Sequence, residues 1–360
     1  MKEKDIFFAL LRKALWGQPL VAPLAVEALP SLLKQADRQA VVALPFDAVC
    51  QSEVKLPTEI VLNYMSLLHQ VERENKQLNT AVKALDGLFS QNGVDYRVVK
   101  GQMVAAIYPK PLLRQSGDVD FYCDAENFEK AKEIFRKKTN VKFEAVNSDY
   151  HLHFEHRGVV FEMHFALAVF YDKQRIRYWE QLMAEDKCGT VQIDGQDVKT
   201  LSPMLHVLYI FLHLYHHLME LGIGVRQFCD LAVMLKAQSA TIDKQALNHH
   251  LHEFGMEKAY RACGSILVNY LGLPEQDFSY RITDKDRRYG EKILHVVFHR
   301  GNMGKYNKKF GFSGWRHNVE ATFIKISHFV KFVPLAPSYS RSWIVHELRK
   351  KIAYKLGRRG

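Results

Sequence analysis

Two carboxylates on one face of a short apolar strand constrain this chain more than any other feature. A strand-like run at 94–99 stops at Lys100-Gly101. A short helical stretch follows, then a turn bracketed by Pro109 and Pro111, and a second strand opens as Ser116-Gly117-Asp118-Val119-Asp120-Phe121-Tyr122. Alternate residues of a strand project to the same side, so Asp118 and Asp120 share a face. Side by side on an apolar strand they repel each other and resist burial, and a positive partner is expected between them. A divalent cation is the usual solution, and Mg²⁺ with phosphate oxygens suits an all-oxygen ligand set. On this reading, neutralising either aspartate relieves repulsion and leaves the fold intact.

A third carboxylate would complete a two-metal phosphoryl-transfer site. The run 158–165 alternates, with Val159, Phe161, Met163 and Phe165 on one face and Glu162 with His164 on the other. It is expected to lie antiparallel to the Asp118–Asp120 strand. A D-x-D pair alone is equally at home on a solvated edge strand. The preceding strand–Gly–helix and the mid-strand Glu162 argue for a site.

The run V-V-K-G-x-x-x-A-x-x-Y-P-x-P-x-L-R-x-x-G-D-V-D-F resembles the signature of the uncharacterised nucleotidyltransferase family within the polymerase-β-like superfamily. That family reads L-K-G, Y-P, L-R and then D-I-D-L-L-V. F-E-M-H-F resembles its third-carboxylate strand, usually V-E-L-H-W, and 224–232 resembles its downstream L-R-W-L-x-D-L-A helix. The resemblance covers most of the chain. It implies an α+β fold with a polymerase-β-like nucleotidyltransferase core, dependence on Mg²⁺ (or Mn²⁺) and a nucleoside triphosphate donor. Asp118, Asp120 and Glu162 become the catalytic metal ligands, and Lys100, Gly101, Arg114, Ser116 and Gly117 the nucleotide-binding set. His164, Arg226 and Asp230 fall beside the acceptor or behind the ligands. The wider superfamily starts its first core helix with Gly-Ser, whereas here Lys100 precedes Gly101 and Gln102 follows it. Lys100 and Arg114 are the cations nearest in sequence to the expected triphosphate, Arg114 with a planar fork and Lys100 with a point charge.

The flanks read as helical. Residues 1–90 carry helical periodicity at 6–15, short helical segments at 24–36 and 39–49, and a long helix at 59–90 with Thr58 as its cap. The core spans 91–200, including a helix at 125–139 capped by Asp124, strands at 141–146, 151–156 and 158–165, a helix at 173–185, and a hairpin at Asp194-Gly195. The region 201–360 opens with Ser202-Pro203 and a helix at 204–221 that is apolar nearly all round. Its His206, His213, His216 and His217 read as core or interface histidines, because no acid completes a metal motif. His151, His153 and His156 likewise lack a zinc-type partner set. Arg226 and Asp230 stand at i,i+4, which predicts a pair within one helix.

The net charge of +11 suits polyanionic partners. Basic residues gather toward the end: Lys305, Lys308, Lys309 and Arg316 beside Phe310, Phe312 and Trp315, then an apolar helix at 322–333 and an amphipathic one at 343–356. That last helix is either packed with a solvated side or in contact with an acidic membrane surface or RNA. Five scattered cysteines without C-x-x-C spacing read as buried free thiols of a cytoplasmic protein, with no signal peptide or transmembrane run. Two functions follow. One is an Mg²⁺-dependent transferase moving a nucleoside monophosphate to a hydroxyl on a small molecule, sugar, protein or RNA. The other is a catalytically silent binding protein that retains the fold.

Overall fold

The structure is a computed structural model describing residues 3–20, 24–52, 54–139, 141, 143, 150–220, 222–307 and 315–355. The chain begins with helices α1 (Glu3–Trp16), α2 (Leu29–Arg38), α3 (Ala43–Cys50) and α4 (Thr58–Gln91). The sheet-bearing part follows as β1 (Arg97–Val99), α5 (Gly101–Ala105), β2 (Asp118–Tyr122), α6 (Ala125–Thr139), β3 (His151–His156), β4 (Val159–His164), α7 (Lys173–Ala184), β5 (Gly189–Ile193) and β6 (Gln196–Thr200). Then come α8 (Pro203–Glu220), α9 (Val225–Ala237), α10 (Lys244–Glu253), α11 (Glu257–Asn269), α12 (Asp284–Arg300), α13 (Trp315–Phe332) and α14 (Pro337–Lys355).

The strands form one mixed sheet in the order β3-β4-β2-β1-β6-β5. β1 and β2 run antiparallel, with α5 in the connection at 100–117. β2 and β4 run parallel, in the register Asp120↔Glu162, not antiparallel as their sequences suggest. The reason is the β3–β4 hairpin: its tight turn reverses the chain, so β4 re-enters the sheet in the direction of β2. Direct opposition of Asp120 and Glu162 in a parallel pair keeps both on one face.

Local chemistry explains most helix limits. Asp124 Oδ1 accepts the Asn127 amide at 2.9 Å and caps α6 as expected. α4 instead begins at Thr58 itself, with Pro57 in the cap position and no side-chain cap bond. The buried stripe of α4 combines Val71, Leu78, Val82, Leu85 and Phe89 with two amides, Asn75 and Asn79. Asn75 Nδ2 donates to the carbonyls of Leu112 and Arg114 at 2.9 and 2.8 Å, and so fixes the connector ahead of β2. Most of the expected strand at 141–146 lies outside the described residues, as do Lys308, Lys309, Phe310 and Phe312. Among the described residues no helix is long and apolar enough to cross a membrane.

The main apolar core of the described residues takes Phe7 from α1, Phe89 from α4, Phe121 from β2, Tyr215 from α8 and Tyr339 from α14, and a smaller cluster gathers Leu10, Leu29 and Val49 of the N-terminal helices. A fully buried phenylalanine such as Phe121 contributes about 1.5–3 kcal/mol. The start of α9 is held from far upstream. Gln39, fully buried, accepts the Val225 amide on its side-chain oxygen at 3.1 Å and donates to the Val297 carbonyl at 3.1 Å. Its backbone carbonyl accepts the Arg226 amide at 3.4 Å. A Cβ on Gly224 would lie 2.7 Å from that carbonyl, so the approach demands glycine.

Candidate active site

The carboxylate face of β2 and β4 opens into a cleft of about 430 Å³ walled by α5, α8 and α9. Asp118, Asp120, Glu162 and His164 all line it. Asp120 is buried between two bases. Its Oδ1 lies 2.6 Å from Lys100 Nζ and 2.8 Å from His164 Nε2. Glu162 is 3.6 Å from His164 and 4.0 Å from His151. Asp120, Glu162 and His164 each offer a ligand atom, and the three atoms lie within 4.8 Å of one another. Asp118 lines the same cleft, half-buried, outside that tight group.

The protonation states follow from burial and these neighbours. Burial would raise the Asp120 carboxyl, but Lys100 and His164 outweigh it and hold Asp120 well below the usual range. Glu162 is pushed up to about 8 by burial and then by the Asp120 charge. Asp118 is raised, first by Asp120 and then by burial. His164 is pushed down to about 4 by burial, so a neutral ring faces Asp120 near neutrality. The cleft therefore holds an ionised Asp120 paired with Lys100, beside a Glu162 that keeps its proton near neutrality.

Lys100 is built in with effort. It sits at φ 52°, ψ −132°, a region costly for a residue with a Cβ, immediately before α5. Its amide donates to His206 Nε2 at 3.3 Å. Against Asp120, its ammonium supplies the positive partner that the two strand aspartates require. Gly101 follows on the cleft wall, where a Cβ would lie 3.3 Å from the Asp118 carbonyl. Gln102, standing where the superfamily has serine, turns away from the cleft. Its Nε2 donates to Asn79 Oδ1 at 2.6 Å, inside the contact with α4.

Arg114 lines the cleft yet is already engaged. Its Nε and Nη2 donate to the two oxygens of Asp230 at 2.8 Å each, and Nη1 donates to Ser116 Oγ at 2.6 Å. The Tyr108 hydroxyl donates to Asp230 Oδ1 at 2.7 Å. The expected Arg226–Asp230 pair within α9 does not form; Arg114 and Tyr108 donate to that carboxylate instead. Arg226 Nη1 donates instead to the Gln115 carbonyl at 2.6 Å. Ser116 thus braces Arg114, and Gly117 is exposed beyond the cleft wall.

Sequence reasoning gave no site role to the α8 histidines. His213, His216 and His217 line the cleft opposite the carboxylates, together with His151 and Tyr209. Burial pushes His217 down to about 3 and His213 well below its ordinary value, so this wall is polar but uncharged near neutrality. The i,i+4 spacing of His213 and His217 was the available signal, since it puts both rings on one helix face, 4.4 Å apart.

A mixed sheet presenting carboxylates from neighbouring strands into a cleft between helices is a nucleotidyltransferase-type core. The chain belongs to the uncharacterised nucleotidyltransferase family, whose match spans residues 27–272. Among solved structures it is similar to an antigenic nucleotidyltransferase-like protein from Paracoccidioides brasiliensis, at 18% identity and a TM-score of 0.35, over 49% of this chain and 86% of that one. No curated protein matches it.

Proposed function

We propose that the protein transfers a nucleoside monophosphate from a nucleoside triphosphate to a hydroxyl acceptor. The observation that carries this reading is the convergence of Asp118, Asp120 and Glu162 on one cleft in a chain of the nucleotidyltransferase family. The donor set fits a divalent cation, because the ligand atoms of Asp120, Glu162 and His164 cluster within 4.8 Å and combine two carboxylates with a neutral imidazole. Bound there, Mg²⁺ or Mn²⁺ would supply charge neutralisation for the phosphates and acidify the attacking hydroxyl.

The chain's own residues have distinct parts. Asp120, held ionised, and Asp118 beside it form the anionic floor. His164 keeps Asp120 oriented through the 2.8 Å contact. Glu162, in its deprotonated form, lies in register beside Asp120 and would accept the proton of the acceptor hydroxyl. The hydroxyl oxygen forms a bond to the α-phosphorus, the bond from that phosphorus to the bridging oxygen breaks, and pyrophosphate leaves.

A second reading, a catalytically silent nucleotide- or partner-binding protein, is favoured by the Lys100–Asp120 ion pair, which already neutralises the central carboxylate. One experiment separates the two: a panel of nucleoside triphosphates with Mg²⁺ or Mn²⁺ and cell extract as acceptor source, with pyrophosphate release as readout. Release above the Glu162→Gln background supports transfer. Ligand-induced thermal stabilisation without release supports the silent reading.

A further inference from the structure

Arg226 is a half-buried cation with no carboxylate paired to it among the described residues. Its Nε is buried with no hydrogen-bond partner, while Nη1 is anchored to the Gln115 carbonyl at 2.6 Å. Asp230, four residues on in α9, is the carboxylate that would ordinarily neutralise it, but Arg114 and Tyr108 have taken both of its oxygens. Among the described residues no carboxylate forms an ion pair with Arg226. Burial, and then the Arg114 guanidinium, push its pKa below the ordinary value, as expected for a charge that lacks compensation. The side chain borders the cleft that Asp118 and Asp120 also line.

A guanidinium edge buried without a partner is costly unless a ligand completes it. Planar guanidinium forks match phosphate oxygens, and the bond to Gln115 holds this one in place before any ligand arrives. We propose that Arg226, and not Arg114, grips the phosphates of the donor, so that the natural ligand of this edge of the cleft is a polyphosphate. The inference rests on the reading that a nucleoside triphosphate occupies the cleft. Arg114 then serves as the residue that takes Asp230 away from Arg226 and so keeps the Arg226 charge available.

The test uses the full chain, excess Mn²⁺ and two probes in titration calorimetry: ATP, and inorganic tripolyphosphate, which has the phosphates without the base. Arg226→Gln should weaken both by about ten- to a hundredfold, the loss of a hydrogen bond to a charged group. Its melting temperature without ligand should hold or rise, because an uncompensated charge has been removed. Arg226→Lys, which keeps the charge and loses the fork, should fall between, and it carries the test if the Gln variant does not fold. Wild-type affinity in both variants would overturn the proposal. So would a fall of several degrees in ligand-free melting for both, which would make Arg226 a brace for Gln115. If the wild type binds neither probe, the transfer reading itself fails. If it binds both and Arg226→Gln binds equally well, only the role of Arg226 fails.

Discussion

Replacing Arg114 with Met tests whether this arginine is a strut or a ligand-binding group. The Arg114 and Asp230 side chains are 5% and 8% exposed and share two hydrogen bonds of 2.8 Å. Removing the arginine leaves Asp230 buried beside the Tyr108 hydroxyl and frees it for Arg226 one turn away. Breaking one half of such a pair costs about 3–5 kcal/mol where no new partner is found, which sets the upper limit here. For 360 residues the unfolding entropy is about 0.8 kcal/mol per kelvin, so the melting temperature should fall by as much as roughly 4–7 °C. Differential scanning calorimetry of the ligand-free protein reads this directly. The double variant Arg114→Met, Asp230→Leu should recover most of the loss, because it removes the stranded charge together with its partner. An Arg114→Met protein that melts like the wild type but no longer binds nucleotide would refute the strut reasoning.

The two strand aspartates should part company. Asp118→Asn relieves repulsion from Asp120 and should leave melting unchanged or slightly higher, whereas Asp120→Asn strands the Lys100 ammonium and should lower it by several degrees in the same scan. Glu162→Gln should keep nucleotide affinity within a few-fold by calorimetry while transfer falls by orders of magnitude; equal losses would move Glu162 to the donor side. Acid should unfold the protein through its buried histidines. His206 and His217 are held near 3 and His328 near 4 by burial, all below the ordinary 6.5, so the unfolded chain binds more protons between those limits. Their contribution is complete above pH 6.5 and is lost as pH falls toward 3–4, by up to about 1.4 kcal/mol per pH unit for each ring. Melting should therefore drop by several degrees from pH 7 to pH 5, and a flat profile would contradict the buried neutral state.

Elements with local signals were legible in the sequence. The D-x-D strand, Glu162 in mid-strand, the Asp124 cap and the Asp194-Gly195 hairpin depend on period and turn chemistry within a few residues. Partner choice was not legible. The i,i+4 rule favours Arg226 for Asp230, yet an arginine 116 residues upstream takes it, because tertiary packing brings a better-oriented fork. Lys100 reads as a phosphate contact from its position beside a glycine, whereas the nearest uncompensated charge in the folded chain is Asp120. Strand direction escaped for a similar reason: the β3–β4 hairpin, and not the β4 sequence, decides which way β4 enters the sheet.

Gln39 carries a consequence for how the molecule can be divided. This one residue near the end of the second helix terminates the amide ladder of α9 and reaches across to the Val297 carbonyl in α12. Its backbone also sits where any side chain at 224 would go. The helix that presents Arg226 and Asp230 to the cleft is therefore seated by a residue almost two hundred positions earlier. A Gln39→Ala variant would keep every carboxylate of the cleft and the α4 side of the core, and lose the side-chain clamp that sets the angle of its arginine wall. Such a variant is expected to keep metal affinity and to lose anion affinity. The N-terminal helices, which contribute no group to the chemistry, would then count as part of its alignment.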